Sequence, residues 1–208
     1  MADSTSSSTG FYDTRKIYHG TQKVVYSMTN GKTGHSTGVT KFAPSVDQDS
    51  KVIYADAQTH ITLIAPKKLT ISMENYQYTD DEMEQMGHKP VNGGFIDTSD
   101  HPTFDIQRIL IEQDENGKNT QVLEAFYNCT STDYTESDDE DDDAINAKKY
   151  TRKITVNGRD FKVGDGGTDE NVKQFRIERT DQNASVFDTY PTKVLTPADF
   201  ASVAGAGK

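Results

Sequence analysis

The chain has 208 residues, of which 33% are hydrophobic and 26% are charged, and its formal net charge is −11. A chain this polar has enough apolar surface for one β-sandwich or barrel interior, so much of its length is loop or contact surface. The acidic excess argues against a nucleic-acid-binding protein, because phosphate binding needs clustered Lys and Arg.

The cysteine content argues against disulfide, zinc and redox sites, and the hydropathy argues against a membrane span. Cys129 is the only cysteine, so no internal disulfide forms, and no paired-cysteine spacing indicates zinc or redox chemistry. No run approaches the roughly 18 apolar residues that span a bilayer. The start at Met1 lacks the basic and apolar regions of a secretory signal. We expect no membrane association and synthesis in the cytoplasm.

The domain organisation follows from composition. Residues 1–12 are rich in Ser and Thr and predict a flexible N-terminal arm. A single β-rich domain is expected over 13–195, with long loops at 31–50 and 130–149. Residues 196–208 end in small residues and are predicted to form a C-terminal tail.

Short apolar runs bounded by Gly, Pro, Asn and Asp predict most of the strands. Leu69, Ile71 and Met73 alternate with polar residues, which is the period-two pattern of a strand with one buried face. Further strands are predicted at 24–28, 52–55, 61–64 and 172–179.

One short helix is predicted between the strands. Thr79 is followed three residues later by Glu82, the spacing of a capping box. Gly87 ends the helix after about two turns, a length that is stable only when the helix is docked. Met83 and Met86 are three residues apart and are predicted to share the docking face.

Asn-Gly occurs at 30–31, 92–93, 116–117 and 157–158, and this dipeptide favours the type I′ turn of β-hairpins. The pair at 116–117 predicts a long hairpin. Its strands are expected at 104–113 and 121–129, with Phe104 facing Cys129 and Ile111 facing Val122.

The Asn-Gly pair at 157–158 predicts a second hairpin over 150–163, in which Ile154 faces Phe161 and Val156 faces Arg159.

The acidic run 133–143 is predicted to be a loop between the two hairpins, because its like charges repel. It could hold calcium, but it lacks the spaced ligand pattern of a calcium loop, so a solvated loop is favoured. Residues 165–170 combine carboxylates and glycines, and a plain turn is again the favoured interpretation.

No catalytic, cofactor-binding or metal-ligating residue is predicted, and no cofactor is expected. The histidines show no paired ligand spacing and are interpreted as surface or packing residues. No nucleophile elbow or phosphate-binding loop is present. The tyrosines could stack on carbohydrate, but packing is the favoured use. The five histidines are His19, His35, His60, His88 and His101.

The order of these elements resembles a known family. A strand at 67–73, a helix at 80–86, a glycine-rich return at 92–95 and a long hairpin from Phe104 follow one another along the chain. This layout, over roughly residues 45–180, is similar to that of the major tail proteins, or tail tube proteins, of long-tailed non-contractile bacteriophages (siphophages) of Gram-positive hosts.

The resemblance implies a structural virion protein that is mainly β: an antiparallel β-sandwich or small β-barrel with one short flanking helix and long arms. Copies would close into hexameric rings through sheet pairing and stack into a hollow tube around a tape-measure protein, with tail-terminator or baseplate proteins as further partners. DNA would be delivered through the bore without specific binding. The location would be the phage tail, after assembly in the host cytoplasm.

Physical reasoning agrees with this expectation, because an exposed sheet edge can close a ring with a sister copy. Two alternatives stay open: a monomeric β-sandwich module that binds carbohydrate or a receptor, and a ring-forming tube protein of a contractile or secretion machine. An enzyme is the least favoured interpretation, because no nucleophile and base arrangement is recognisable.

Overall fold

The computed structural model describes residues 17–55, 58–137, 148–163 and 168–204. This part of the chain is mainly β, with a large antiparallel sheet and a few short helices, which confirms the predicted fold class. The strands are β1 (Ile17–Met28), β2 (Thr33–His35), β3 (Val39–Asp47), β4 (Ser50–Ala55), β5 (Gln58–Ile64), β6 (Lys68–Asn75), β7 (His88–Val91), β8 (Gly94–Asp97), β9 (Phe104–Gln113), β10 (Asn119–Ser137), β11 (Lys149–Val156), β12 (Arg159–Val163), β13 (Thr168–Val172) and β14 (Gln174–Glu178). The helices are α1 (Asp80–Gln85), α2 (Ala184–Phe187), a 3-10 turn (Tyr190–Thr192) and α3 (Pro197–Ala204).

Eight strands form the main sheet in the order β2-β1-β9-β10-β11-β6-β3, with β14 also beside β10. The 19-residue strand β10 joins the two halves of this sheet. Its first half pairs with β9 and β14, and its second half pairs with β11. Three two-stranded ribbons stand apart from the sheet: β4–β5, β7–β8 and β12–β13.

The main core lies between the two halves of the sheet. Apolar residues from β1, β9 and β10 share one buried cluster with residues from β3, β6 and β11, so the sheet curls around a common interior. Arg108 on β9 also links the halves. Its Nη1 donates to the backbone carbonyl of Phe42 on β3 at 2.8 Å, and its Nε donates to the Glu124 carboxylate at 2.6 Å.

The strands predicted at 24–28, 52–55, 61–64 and 69–73 are confirmed within β1, β4, β5 and β6. The strand predicted at 172–179 is wrong as a single element. It is the end of β13 followed by β14, which belong to different sheets.

The long hairpin of β9 and β10 is confirmed, but its predicted pairing is partly wrong. Phe104 faces Cys129 as predicted, whereas Ile111 faces Gln121 and not Val122. The predicted register therefore fails by one residue at every pair from Ile106 and Phe126 to the turn. A bulge between Phe126 and Cys129 restores it.

The cause of this shift is the turn itself. The Asp114 carboxylate accepts hydrogen bonds from the backbone N–H groups of Asn116 and Lys118, both at 2.9 Å. Only Gly117 in this turn has a positive φ, at +78°, so the turn is not type I′. The type I′ prediction holds at Asn92 and Gly93, where φ is +49° and +86° and the turn joins β7 to β8.

The predicted hairpin over 150–163 is wrong. β11 lies between β10 and β6, and β12 pairs with β13, so neither predicted cross-strand pair forms. The backbone N–H groups of Asn157 and Gly158 donate to the carbonyls of Asn128 and Tyr127 on β10. The Asn-Gly pair is therefore a corner held against the β10 bulge, where the chain leaves the main sheet.

Two segments predicted as loops contain strands. The segment 31–50 includes β2 and all of β3. β3 is an edge strand, and its polar, proline-containing sequence does not have the pattern of a buried strand. In the segment 130–149, β10 continues to Ser137, which is five residues into the acidic run. Only two of these five are carboxylates, so like-charge repulsion does not prevent pairing with β11. The residues 138–147 lie outside the described part.

The predicted helix is confirmed as α1, with both hydrogen bonds of its capping box. Gly87 follows it with a φ of +93°. The prediction that two methionines dock the helix is only partly right. Met86 is buried, Met83 is partly exposed, and the other buried side chains of the helix are Glu82 and Gln85.

The predicted C-terminal tail at 196–208 includes the helix α3, Pro197–Ala204. The segment from α2 to α3 covers the outer face of the first half of the sheet. Gln107 on β9 fastens it, because its amide donates to the carbonyl of Lys193 at 2.7 Å and its oxygen accepts from the N–H of Leu195 at 2.7 Å. The buried cluster beneath the segment comprises Val25, Ile109, Leu123, Phe187, Tyr190, Leu195 and Phe200.

The predicted arm at 1–12 and the first part of the predicted turn at 165–170 lie outside the described residues. Among the helices that are described, none has the length and apolar character needed to cross a membrane.

Candidate functional site

The edges of the main sheet are the first candidate. Within the described strands, β2, β3 and β14 pair with a neighbour on one side only. The second half of β10, residues 130–137, likewise pairs only with β11, because β9 begins opposite Cys129. Unpaired backbone donors and acceptors along such edges are templates for pairing with another chain.

Two of these edges carry features that discourage pairing. β2 has only three residues. β3 contains Lys41 and Pro44, and charged residues and proline are common protections of edge strands. The stretch 130–137 has the sequence Thr-Ser-Thr-Asp-Tyr-Thr-Glu-Ser, which includes two carboxylates but neither Lys nor Pro, and its pairing shifts between Ser131 and Tyr134. It is the longest described edge without Lys or Pro.

Two of the ribbons expose apolar side chains. A two-stranded ribbon is marginally stable in water unless it packs against something. Six apolar side chains on the two ribbons are 39% to 66% exposed. Exposed apolar side chains of this kind are available for contact with another protein surface. The residues are Val52, Leu63 and Ile64 on β4–β5 and Val91, Phe95 and Ile96 on β7–β8.

The outer face of the second half of the sheet is polar and uncovered. The C-terminal segment covers only the first half, whereas β3, β6, β10 and β11 leave a shallow groove of about 330 Å³. Its lining is mainly hydroxyl groups, with Lys153 and Asp133 as charged members at the surface. The lining hydroxyl residues are Ser45, Thr70, Ser72, Thr132, Thr135 and Thr151.

Three tyrosines that do not line the groove form a cluster of rings. The rings of Tyr134 and Tyr150 meet edge to face, with centroids 5.4 Å apart, and Tyr78 lies within 6.3 Å of both. The Tyr78 hydroxyl donates to the Tyr150 carbonyl at 3.0 Å. Burial raises the pKa of Tyr78 to about 12. The rings are tilted against one another and the Tyr78 hydroxyl is already hydrogen-bonded. This arrangement indicates packing rather than a flat surface on which a carbohydrate could stack.

His88, at the start of β7, bridges two carboxylates. Nδ1 lies 2.6 Å from an oxygen of Asp97, and Nε2 lies 2.8 Å from an oxygen of Asp133. Burial lowers the pKa of His88, but the hydrogen bonds to Asp133 and Asp97 outweigh burial and raise the pKa above its ordinary 6.5. Sequence reasoning placed His88 among the surface or packing histidines. No local signal could have found this site, because Asp133 is 45 residues away.

Sequence reasoning also missed a buried ion pair beneath α1. Arg152 Nη2 on β11 donates to the Glu82 carboxylate at 3.1 Å, and both side chains are fully buried. Arg152 Nη1 donates to Gln85 Oε1 at 2.9 Å. The helix thus docks on the sheet largely through polar side chains.

Cys129, considered in the sequence as a nucleophile, belongs to the main core. Cys129 is buried, and burial raises the pKa of its thiol well above the usual range. Within the ranges that the structure describes, no group of three or more potential metal ligands comes together. His88 cannot share one ion with Asp97 and Asp133, since the carboxylates lie on opposite ring nitrogens.

Comparisons with known proteins find little similarity. No family model matches the chain, and no curated protein matches it. One similar solved structure is described as the sheath–tube complex of an extracellular contractile injection system (PVC) in the extended state. The match covers 72% of this chain and 89% of that chain, with 10% sequence identity and a TM-score of 0.42. This likeness is too distant to support an argument about function.

Proposed function

We propose that this chain is a structural subunit of a siphophage tail, which assembles with copies of itself into stacked hexameric rings that form a hollow tube for DNA delivery. The observation that carries the proposal is the sheet edge at 130–137 on β10, which pairs on one side only and has neither Lys nor Pro. An edge strand of this kind pairs with a strand of a neighbouring copy through backbone hydrogen bonds.

Ring closure follows from the geometry of such a contact. The edge of one copy meets a different edge of the next copy, so the contact is heterologous, and it closes into a ring when the rotation per subunit divides a full turn. β14, which pairs with β10 on one side only, is the proposed complement.

The hydroxyl-lined outer face suits the wall of the bore. Ser and Thr hydroxyls bind water, and this face has few of the cations that would hold phosphate. The negative charge of the whole chain, −11, adds a repulsive field that keeps DNA from adhering. DNA could then slide past the wall without specific binding.

The apolar ribbons suit contacts between rings. Each carries three exposed apolar side chains, which leave water when another subunit covers them. Each Å² of apolar surface covered contributes about 25 cal/mol. In this proposal the two ribbons provide the contacts between rings.

Sedimentation velocity and negative-stain electron microscopy over a concentration series test the proposal. We expect rings or tubes above a threshold concentration, and class averages that count the subunits in a ring. Thr135→Lys places a lysine, which discourages edge pairing, on this edge and is expected to raise the threshold by about tenfold or more. Thr40→Lys, an exposed threonine on the protected edge β3, is the matched control and should leave the threshold unchanged.

A protein that stays monomeric at every concentration and salt would overturn the proposal. Binding of a glycan by that monomer would favour the carbohydrate-binding or receptor-binding module. Rings that form equally well from Thr135→Lys would show that another edge closes them.

A further inference from the structure

We propose that His88 is a proton-dependent latch, which fastens the β7–β8 ribbon to β10 when the imidazole is protonated and loosens it when the proton is lost. The latch is a property of the single subunit and does not depend on the proposed function. It would change the rigidity of the ribbon, which carries the exposed apolar side chains Val91, Phe95 and Ile96.

The geometry of the ring nitrogens requires a proton on each. Carboxylate oxygens of Asp97 and Asp133 approach Nδ1 and Nε2 at 2.6 Å and 2.8 Å, and an ionised carboxylate can only accept a hydrogen bond. A neutral imidazole donates from one nitrogen only. Its other lone pair would then face a carboxylate oxygen, and that contact would open.

The position of His88 makes this contact a fastening of the ribbon. His88 and Asp97 face each other across the base of the ribbon, where β7 begins and β8 ends. Asp133 lies on β10, so the bond from Nε2 ties that base to the main sheet. The ring of His88 also lies against the ring of Tyr134, with centroids 5.8 Å apart.

The protonated ring is held in place mainly by its two carboxylates. The His88 side chain is 10% exposed, whereas those of Asp97 and Asp133 are 88% and 60% exposed, so water screens both interactions in part. The other titratable side chain in contact with the ring is that of Tyr134. On the neighbouring residues, Lys89 pairs with Asp100, and His101 lies beside Gly87.

The direction of the pH effect follows from linkage. The pKa of His88 is raised in the folded chain, so the stabilisation is fully present below the unfolded value of about 6.5 and is lost as pH rises through the folded pKa. The latch is therefore closed in mildly acidic solution and opens towards alkaline pH.

Two measurements on the full chain, below its assembly concentration, test the latch. The first is a titration of the histidine ring signals by NMR, with the His88 signal identified from its absence in His88→Gln. We expect a midpoint above 6.5, and a lower midpoint in Asp133→Asn because one charge-assisted bond is gone. A midpoint at or below 6.5 in the unmodified chain would overturn the latch.

The second measurement is amide hydrogen exchange of β7 and β8, corrected for the intrinsic effect of pH. Protection in the unmodified chain is expected to fall about three- to tenfold as His88 loses its proton, which is the scale of one partly screened charged hydrogen bond. His88→Gln should show the low protection at every pH. His35→Gln, which replaces an exposed histidine, should retain the transition. Equal protection in the unmodified chain and His88→Gln at acidic pH would refute the proposal.

Discussion

The buried ion pair between Glu82 and Arg152 gives the sharpest test of how α1 is held. The Glu82 carboxylate accepts from Arg152 Nη2 at 3.1 Å, from the Ser36 hydroxyl at 2.6 Å and from the Thr79 N–H at 3.0 Å. Glu82→Gln keeps the volume of the side chain and one acceptor oxygen. It removes the charge opposite a guanidinium that has no exposure to water.

The size of the effect follows from the uncompensated charge. Removing one partner of a buried ion pair costs about 3–5 kcal/mol. Gln85 still accepts from Arg152 at 2.9 Å, so we expect a loss near the lower end, about 3 kcal/mol. For a chain of this length that loss corresponds to a fall in Tm of about 6–12 °C.

Urea unfolding followed by circular dichroism measures this loss directly. Glu84→Gln is the matched control, because it makes the same substitution on the same helix at an exposed pair with Lys32 and should leave the midpoint unchanged. Glu82→Gln combined with Arg152→Met removes both charges and should recover at least about 1 kcal/mol relative to Glu82→Gln alone. A loss below about 1 kcal/mol in Glu82→Gln, or no recovery in the double variant, would refute the reasoning.

Three further predictions concern other buried groups. The Tyr127 hydroxyl donates to the Leu195 carbonyl at 2.7 Å, so Tyr127→Phe should reduce the free energy of unfolding by about 1 kcal/mol, and an unchanged value would contradict this bond. Gly158 has a φ of +89°, and a Cβ there would collide with the side-chain oxygen of Asn171. Gly158→Ala should therefore reduce the free energy of unfolding in urea by more than about 1 kcal/mol. An unchanged free energy would contradict the backbone conformation at this corner. Burial raises the pKa of the Cys129 thiol, so a thiol reagent should label it slowly in the native chain and rapidly in urea. Rapid native labelling would show that the core opens.

The parts of the fold that local chemistry determines were predictable. Alternation at Leu69, Ile71 and Met73 identifies a strand with one buried face, because side chains on a strand point alternately to its two sides. The capping box at Thr79 identifies the start of α1, since its two hydrogen bonds join residues three positions apart. The apolar pairing of Phe104 with Cys129 likewise fixes the partner strands β9 and β10.

The wrong predictions concern strand pairing and packing, which depend on residues distant in sequence. The Asn-Gly pair at 157–158 is locally compatible with a hairpin, but β11 is already occupied on both sides by β10 and β6. β3 shows no alternating pattern, since Phe42 is its one buried residue, and its pairing with β6 identifies it as a strand. The C-terminal residues have few local signals, and they become ordered by packing on β9 and β10.

The sequence alone determines a mainly β chain with a capped short helix, one long hairpin and an acidic charge, because these features depend on neighbouring residues and on composition. Only the tertiary structure decides which edges of the sheet stay unpaired, which outer face the C-terminal segment covers, and that His88 meets Asp97 and Asp133. The physical reason is that strand pairing and charge pairing act across space. Residues 45 or 70 positions apart become neighbours only after the chain has folded.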